Sequence, residues 1–421
     1  MTALVVRADA RSLPLPDESV DLIVTSPPYW SLRDYRDGDG SLAGQIGAEP
    51  TPAEYVAALL ECTREWMRVL KPSGSLWINL GDKYDSSSKG GPSSSPLLHA
   101  GPEKLLDHRG VRRPIFTRAK SMMLLPQRYA IGCVDQLSLI LRAEVIWSKP
   151  SGMPESVQDR VRRAHEQFFH FTKQPRYFSA VDSIREPLAD PNRVAGRNAF
   201  NARNSNHQRT STGAYTGPGI LGALPGSVWE VATQPLKVPE HLAVDHYATF
   251  PPALVRRIVL GWSPPGICTE CGVGRRPALE LGENSWARRK ADGDPTSYGR
   301  SGTGSAAHLH RSLSDPEDRR AGGFGKPAER RITGYSCACP APDAPARPAL
   351  VVDPFGGTGT TALVASVYGR VGLSFDLSHD YGRLAQWRTQ DPGERARALG
   401  VPKPPPVAHG QGDLFDGQVI A

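Results

Sequence analysis

The sequence predicts an α/β protein built on a doubly wound, mostly parallel sheet, with its strands in a circularly permuted order along the chain. Residues 349–361 read ALVVDPFGGTGTT, the pattern of a buried strand that runs into a glycine turn and then a helix. Residues 21–30 read DLIVTSPPYW, the pattern of a second buried strand that ends in a rigid aromatic loop. The chain opens on a short strand at residues 4–6, so the first strands of such a sheet are predicted to come from the C-terminal part of the chain.

Length and charge fit this architecture. A chain of 421 residues with 39% hydrophobic residues can bury one large α/β core and a smaller module. No apolar run reaches the ~18 residues that span a bilayer, and the N-terminus lacks the pattern of a signal peptide. We therefore expect a cytoplasmic protein without a membrane partner. The formal net charge of +7 suits a polyanionic partner.

Local signals place the other elements. Thr51 is a predicted N-cap, with Pro52 in the first turn, of an amphipathic helix that ends near Val69. Cys62 and Cys133 fall in predicted helices and are expected to be buried. The chain is predicted to divide into several segments. Residues 1–186 form the catalytic half, with a polar insertion at 83–118, and residues 187–240 form a candidate target-recognition segment. Residues 241–266 and 347–390 form the cofactor-binding half, residues 267–346 form an inserted module with two cysteine pairs, and residues 391–421 form an unstructured tail.

The segment 187–240 is rich in arginine and asparagine. These side chains pair with the edges of guanine and adenine in the major groove, which makes the segment a candidate for sequence recognition. The same composition is also typical of a polar loop that makes no base contacts.

The glycine turn indicates a ligand crevice, because glycines let the backbone approach a ligand where a Cβ would clash. No lysine follows Gly359, which disfavours a site for ATP phosphates. The run from Gly357 to Ala362 fits a loose dinucleotide-binding pattern, with Asp376 near the position of a ribose acceptor. However, Asp353 at the strand end would repel a pyrophosphate. S-adenosylmethionine carries no phosphate, so Asp353 is compatible with this ligand.

The sequence resembles the DNA amino-methyltransferases that act on cytosine N4 or adenine N6, in the permuted order known as the beta class. The two signatures are the Ser-Pro-Pro-Tyr run at 26–29 and the Asp-Pro-Phe-Gly-Gly-Thr-Gly run at 353–359. Further matching runs lie at 74–82, 147–150 and 246–251, and the resemblance covers most of residues 1–266 and 347–390. It implies a Rossmann-like, S-adenosylmethionine-dependent methyltransferase fold and a double-stranded DNA substrate. A cognate restriction enzyme is a candidate partner.

The resemblance also implies roles for individual residues. The catalytic loop comprises Ser26, Pro27, Pro28 and Tyr29. Asp376 is expected to bind the ribose of the cofactor and Asp9 its adenine amine. The remaining cofactor contacts are expected from Phe250, Pro251, Asp353, Phe355, Gly356, Gly357, Thr358 and Gly359. His246 has either a role in the site or a structural role at the surface.

An exocyclic amine is a poor nucleophile, because its lone pair is delocalised into the ring. The Ser26 hydroxyl and the Pro27 carbonyl are placed to accept its two protons, after which the nitrogen can attack a methyl group directly, with positioning supplying much of the rate. The base must leave the duplex, and Tyr29 is expected to stack on it with Trp30 beside it. Methylation of a ring carbon is excluded, since the chain has no Pro-Cys nucleophile. The serine of the loop favours cytosine N4 over adenine N6, which stays the alternative.

Four cysteines form the pairs Cys268 with Cys271 and Cys337 with Cys339. Two such pairs supply the ligands of a structural zinc ion. Free thiols or a redox pair are the alternatives for these residues. Other functions also stay open at this point: a nicotinamide oxidoreductase, a zinc-ribbon nucleic-acid-binding protein without activity, and an RNA methyltransferase.

Overall fold

The computed structural model describes residues 2–32, 36–37, 40–41, 44–85, 120–152, 154–187, 223–242, 250–281, 330–341 and 343–403. The chain divides into two compact units. The first comprises Met1–Tyr177, Glu230–Val259 and Ala349–Ala421, and the second comprises Phe178–Trp229 and Leu260–Pro348. Most of the predicted insertion 83–118 and of the predicted recognition segment 187–240 lies outside the described residues, so both stay predictions.

The secondary structure follows the chain in short, well-defined elements. The strands are β1 (Ala3–Arg7), β2 (Val20–Thr25), β3 (Arg36–Asp37), β4 (Gly40–Ser41), β5 (Leu70–Leu80), β6 (Ile140–Ser148), β7 (His165–Thr172), β8 (Val228–Glu230), β9 (Ile267–Cys268), β10 (Arg276–Leu281), β11 (Arg330–Ser336), β12 (Ala346–Arg347), β13 (Leu350–Asp353) and β14 (Val371–Asp376). The helices are α1 (Pro52–Val69), α2 (Leu125–Leu137), α3 (Pro252–Trp262), α4 (Thr360–Val367), α5 (His379–Gln390) and α6 (Pro392–Leu399). Within these described residues, no helix has both the length and the apolar character needed to cross a bilayer.

The sheet of the first unit confirms the predicted fold class. Its strands stand in the order β1, β14, β13, β2, β5, β7 and β6. The pairs from β1 to β5 are parallel, whereas β7 is antiparallel to both β5 and β6. The opening strand of the chain pairs with β14, with Val6 opposite Phe375, so C-terminal strands lie in the middle of the sheet. This is the topology of a doubly wound sheet in circularly permuted order.

The strand order reverses between β13 and β2. These strands are parallel neighbours, with Val351 opposite Leu22 and Val352 opposite Ile23. From β13 the chain continues to β14 on one side, and from β2 it continues to β5 on the other. In doubly wound sheets, ligands bind outside the carboxyl ends of the strands at such a switch point. The glycine turn follows β13 and the Ser-Pro-Pro-Tyr loop follows β2, so both loops begin at this position.

The core explains why these segments form strands and helices. All six residues of β2 are buried, as expected for a central parallel strand covered on both faces. Helix α1 begins with a capping box, in which Thr51 accepts from the amide of Glu54 and Glu54 accepts from the amide of Thr51. Its buried face packs onto the sheet through Tyr55, Leu59, Leu60, Cys62, Thr63, Trp66 and Val69. The predicted helix over these residues and the burial of Cys62 and Cys133 are confirmed.

The prediction of an unstructured tail over 391–421 is wrong for its first part, where α6 forms. Asp391 caps this helix by accepting from the amide of Glu394 at 2.8 Å, and Gly400 ends it with φ of 76°. Arg388, whose side chain is 1% exposed, donates to Glu394 at 2.8 Å. The buried face of α6 consists of the small residues Ala396 and Ala398, which do not register as an apolar period. Residues 404–421 lie outside the described part of the chain.

Candidate active site

A cavity of about 520 Å³ opens at the switch point of the sheet in the first unit. This volume is within the range of small-molecule and cofactor sites. Side chains from both predicted loops line it. The lining includes Ala8, Asp9, Ser26, Pro27, Pro28, Tyr29, Asn79, Trp147, Lys149, Glu166, Phe250, Pro354, Phe355, Gly356, Gly357, Thr358, Asp376, Leu377, Ser378 and Tyr381.

The glycine turn forms one wall of the cavity. The amide of Gly356 donates to the carbonyl of Phe375 at 2.7 Å, which ties the turn to β14. A Cβ on Gly356 would lie 1.9 Å from Ser374 Oγ and 3.1 Å from Ser374 Cα. Gly357 and Gly359 have φ of 50° and 75°, a backbone conformation that favours glycine. The turn thus presents backbone, without side chains at two of its positions, to a ligand in the cavity.

Two carboxylates line the same end of the cavity. Asp376, at the end of β14, accepts from the amides of Gly357 and Ser378, each at 2.9 Å. Asp9 follows β1 and is bound to Arg11 at 2.6 Å, and this guanidinium lowers the pKa of Asp9 below its ordinary value. Both groups are therefore oriented hydrogen-bond acceptors. Such a wall suits hydroxyl and amine groups and disfavours phosphates.

Asp353 lies beneath the glycine turn and is not among the residues that line the cavity. It is 1% exposed and accepts from Thr361 Oγ1 at 2.9 Å and from the amide of Phe355 at 3.1 Å. Burial raises its pKa to about 7, against the hydrogen bonds that lower it. The structure thus gives this carboxyl a part in shaping the turn.

Because the pKa of Asp353 is raised in the folded state, its protonation stabilises the fold at low pH. Between pH ~4, where the unfolded residue titrates, and pH about 7, we expect the free energy of unfolding to fall as pH rises. The free energy of unfolding should change by up to about 4 kcal/mol over this window. Denaturant unfolding from pH 4 to 8 measures it, and the Asp353→Asn variant should lose most of the slope. An unchanged slope in that variant would assign the pH dependence to other groups.

The Ser-Pro-Pro-Tyr loop forms the opposite wall. Tyr55 on α1 donates to the carbonyl of Pro28 at 2.8 Å and so anchors the loop. The hydroxyl of Ser26 donates to Asn79 Oδ1 at 3.2 Å, while the described residues give the carbonyl of Pro27 no partner. The hydroxyl of Tyr29 lies 2.8 Å from Glu166 Oε2 and 3.1 Å from Asn79 Oδ1.

Strand β5 also shapes the position of the Tyr29 ring. A Cβ on Gly81 would lie 2.5 Å from Tyr29 Cε2, so glycine is needed just after β5. Burial, together with the nearby Glu166, raises the pKa of Tyr29 well above its ordinary value. The phenol therefore stays neutral and keeps its hydrogen for donation.

Four polar and aromatic residues of this wall were not assigned roles from the sequence: Asn79, Trp147, Lys149 and Glu166. Lys149 forms an ion pair with Glu166, and its Nζ lies 4.1 Å from the centre of the Trp147 ring. Asn79 and Lys149 belong to motif runs of the sequence, which could have drawn attention to them. Glu166 has no such local signal, because only the pairing of β7 with β5 brings it near Tyr29.

Only some of the other predicted site residues line the cavity. The cavity is lined by Phe250, but Pro251 and Gly359 are not among its lining residues. The prediction that Trp30 stands beside the base is wrong, because Trp30 packs in the hydrophobic core and donates to the carbonyl of Glu49 at 2.9 Å. His246 lies outside the described residues.

The cysteine pairs come together in the second unit. The sulfur atoms of Cys268, Cys271, Cys337 and Cys339 all lie within 4.8 Å of one another. This confirms the predicted juxtaposition of the pairs and provides four thiol groups for a metal ion.

The cavity fits the groups of S-adenosylmethionine. Glycines at its wall leave room that a Cβ would fill, aromatic side chains such as Phe355 and Tyr381 offer flat surfaces, and the carboxylates of Asp9 and Asp376 offer acceptors for an amine and a ribose diol. All four residues of the Ser-Pro-Pro-Tyr loop line the same cavity. The arrangement can therefore bring a methyl donor and an aromatic amine together.

Comparisons with known proteins identify the family of the chain. Residues 20–268 match the model of the DNA methylase family. The chain is 34% identical over 252 residues to the type II methyltransferase M.XycI of Xanthomonas campestris pv. cyanopsidis, covering 60% of this chain and 69% of that protein. It is 33% identical over 252 residues to the type II methyltransferase M.SmaI of Serratia marcescens, covering 60% and 72%.

Among solved structures, the chain resembles that of the PvuII DNA methyltransferase (cytosine-N4-specific), with a TM-score of 0.49, 16% identity, and coverage of 95% of this chain and 91% of that one. The family match alone spans more than half of the sequence. This chain therefore belongs to the DNA methylase family whose members methylate adenine N6 or cytosine N4.

Proposed function

We propose that the protein transfers a methyl group from S-adenosylmethionine to the exocyclic N4 amine of cytosine in double-stranded DNA, with the target base flipped out of the helix. The observation that carries this proposal is the juxtaposition of two loops. The glycine turn after β13 and the Ser-Pro-Pro-Tyr loop after β2 leave the sheet at adjacent strands and line one cavity.

The donor is expected to occupy the half of the cavity beside β14 and β1. S-adenosylmethionine supplies a methyl group bound to a positively charged sulfur. Asp376 accepts from the ribose hydroxyls and Asp9 from the adenine amine, while Phe355 provides a flat wall. The glycine turn lets the backbone follow the methionine part closely.

The target amine is expected at the other half, between Ser26 and Pro27. The hydrogen of the Ser26 hydroxyl points to Asn79 Oδ1, which leaves the lone pairs of Ser26 available to accept from the amine. Asn79 is itself oriented because its Nδ2 donates to the carbonyl of Gln167 at 3.1 Å. Asn79 is therefore a positioning residue for Ser26. With both protons of the amine engaged, its nitrogen lone pair can attack the methyl carbon. The bond between that carbon and sulfur breaks, its electron pair goes to sulfur, S-adenosylhomocysteine leaves as a neutral thioether, and one amine proton leaves to solvent.

Tyr29 is expected to stack on the flipped base. Its ring is fixed by the contact with Gly81 and by the bonds of its hydroxyl to Glu166 and Asn79. A prepositioned aromatic ring of this kind binds an extruded base through its π face. The side chain of Tyr29 is thus already ordered in the free protein, so binding of the base does not have to order it.

The wall that contains the Ser-Pro-Pro-Tyr loop, Lys149 and Glu166, which we call the base-side wall, supports cytosine over adenine. Beside its amine, cytosine presents the acceptors N3 and O2, whereas adenine presents N1 and then a C–H group. Lys149 carries three donors, of which one serves Glu166. We infer that another Lys149 donor meets O2 of cytosine, an interaction that adenine lacks. The serine at position 26 agrees with this assignment.

The Lys149→Met variant tests this inference. Loss of a hydrogen bond to a charged donor typically costs about 1.5–3 kcal/mol, so the rate of cytosine methylation at subsaturating DNA should fall about 10- to 150-fold. The affinity for S-adenosylmethionine should stay within about twofold of the original value, since Lys149 lies on the base-side wall. Lys120→Met is the matched control, because Lys120 is exposed and pairs with Asp159. Cytosine methylation at the original rate in Lys149→Met would refute the role.

The partner classes follow from the proposed reaction. The basic chain suits duplex DNA, and a restriction endonuclease of the same sequence specificity is the proposed cognate partner. The segment 187–240 stays the proposed source of sequence recognition.

Transfer of labelled methyl groups tests the nature of the substrate. The purified protein is incubated with labelled S-adenosylmethionine and, in parallel, with unmethylated duplex DNA, the separated strands, and structured RNA. We expect label in duplex DNA and none in RNA. Preferential labelling of RNA would overturn the proposal, and so would failure to label any nucleic acid by protein that binds the donor.

A further inference from the structure

The four cysteines of the second unit play no part in the proposed transfer, yet they form a compact cluster. The sulfur of Cys268 lies 3.8 Å from that of Cys339, and the sulfur of Cys339 lies 3.2 Å from that of Cys337. Cys268 is buried, Cys337 and Cys339 are half-buried, and Cys271 is exposed. The four residues come from two chain segments that are 66 residues apart at their nearest members, Cys271 and Cys337.

The first pair is arranged by a tight turn. The amide of Gly272 donates to the carbonyl of Cys268 at 3.0 Å, and the amide of Cys268 donates to the carbonyl of Val273 at 3.0 Å. Gly272 has φ of 68°, which a side chain would disfavour. This turn brings Cys271 back beside Cys268, the arrangement that two thiolates need to bind one ion.

Hydrogen bonds join the first pair to the chain segment that follows the second pair. Strand β12 runs antiparallel to β9, with Ala346 opposite Cys268. The amide and the hydroxyl of Thr269 both donate to the carbonyl of Pro345, at 3.0 Å and 2.9 Å. The two ends of the intervening segment are thus fastened together at the cluster.

We propose that Cys268, Cys271, Cys337 and Cys339 bind a structural zinc ion, which holds together the two ends of the segment 272–336. We call this junction of the two ends the neck of the segment. Four thiolates are a typical closed, tetrahedral set for zinc. With Zn–S bonds of about 2.3 Å, tetrahedral geometry places sulfur atoms about 3.8 Å apart. The sulfur atoms of this cluster lie close to that spacing before any rearrangement.

The hairpin of β10 and β11 stands directly on this neck. Cys271 precedes β10 by a few residues, and Cys337 follows β11 immediately. The two strands pair from Arg276 opposite Ser336 to Leu281 opposite Arg330, with a register shift between Ala278 and Leu279. A two-stranded hairpin is only marginally stable alone, so a metal ion at its base would contribute directly to its order.

Metal analysis of the full-length protein tests the site. Protein purified under reducing conditions and dialysed should contain one zinc ion per chain. A mercurial reagent should release that ion as four thiols react, because Cys62 and Cys133 are buried in the core of the first unit. The cobalt-substituted protein should show the absorption bands of tetrahedral thiolate coordination.

Variants separate metal binding from general damage. Cys271→Ser changes an exposed ligand and should lower the bound zinc about fivefold or more after dialysis. Thr269→Ser is the matched control, since it lies in the same turn and keeps the hydroxyl that bonds Pro345. Equal zinc content in both variants would refute Cys271 as a ligand.

Hydrogen exchange tests the fastening of the neck. After removal of zinc, the amides of β10 and β11 should exchange about tenfold faster or more, while those of β13 in the first unit should be unchanged. Binding of S-adenosylmethionine should also be unchanged, so this test is independent of the methyl-transfer proposal. Three results would overturn the inference: no bound metal with six free thiols, no metal with two thiols oxidised to a disulfide, or bound zinc whose removal leaves exchange in the hairpin unaltered.

Discussion

The Tyr29→Ala variant is expected to transfer methyl groups to duplex DNA about 5- to 150-fold more slowly than the original protein at subsaturating DNA. The stacking of a base on an aromatic side chain is worth about 1–3 kcal/mol, and about 1.4 kcal/mol corresponds to a factor of ten. The affinity for S-adenosylmethionine should stay within about twofold, because the glycine turn that we propose binds the donor follows β13 and is hydrogen-bonded to β14, not to the Tyr29 loop. Single-turnover rates and calorimetric donor binding measure the two effects separately.

Tyr29→Phe is the control that isolates the ring from the hydroxyl. It keeps the stacking surface and removes the bonds to Glu166 and Asn79. We expect a loss of only about tenfold or less, the cost of a net hydrogen bond in a partly buried site. If phenylalanine and alanine reduced the rate equally, the contribution of Tyr29 would lie in its hydroxyl and the stacking role would be wrong.

Gly356→Ala is expected to weaken the binding of S-adenosylmethionine about 5- to 150-fold. The new Cβ would lie 1.9 Å from Ser374 Oγ, 2.9 Å from Ser374 Cβ and 3.1 Å from Ser374 Cα. Rotation of the hydroxyl relieves only the first of these contacts, so the glycine turn must move away from β14. Overpacking of this kind typically costs about 1–3 kcal/mol. The movement would shift the backbone that lines the donor half of the cavity.

Two further variants make this result specific. Gly382→Ala places a Cβ 3.9 Å from Val5 Cγ1, an ordinary contact, and should leave donor binding unchanged. Ser374→Gly removes both clashing side-chain atoms, so adding it to Gly356→Ala should restore much of the lost affinity. Thermal unfolding of all three proteins shows whether any loss reflects global instability. Normal donor binding by Gly356→Ala would remove the turn from the donor site.

The fold could be predicted from the sequence to the extent that local patterns report burial. Four or five apolar residues before a glycine turn or a proline pair are typical of a central parallel strand, and β13 and β2 are such strands. Their adjacency came from the structure, in which Val351 lies opposite Leu22 and Val352 opposite Ile23. The sequence pattern thus located the two loops that line the cavity.

The polar partners of those loops were beyond local patterns. Glu166 lies 137 residues from Tyr29 in sequence and reaches it only because β7 pairs with β5. Asp353 could be recognised as an acid at a strand end, but the sequence did not reveal that Thr361 and the amide of Phe355 hold it beneath the turn. Likewise, α6 escaped prediction because its buried face is built of alanines. In each case the deciding information is the packing of distant elements.

The identity of the methylated nucleoside tests the central claim most directly. DNA that lacks modification is incubated with the purified protein and S-adenosylmethionine. The DNA is then digested to nucleosides, and the methylated nucleoside is identified by mass spectrometry. We predict N4-methylcytosine in the presence of the original protein and its near absence with Ser26→Ala, which lacks the hydroxyl that we propose accepts from the amine. N6-methyladenine as the product would contradict the assignment of cytosine as the target base.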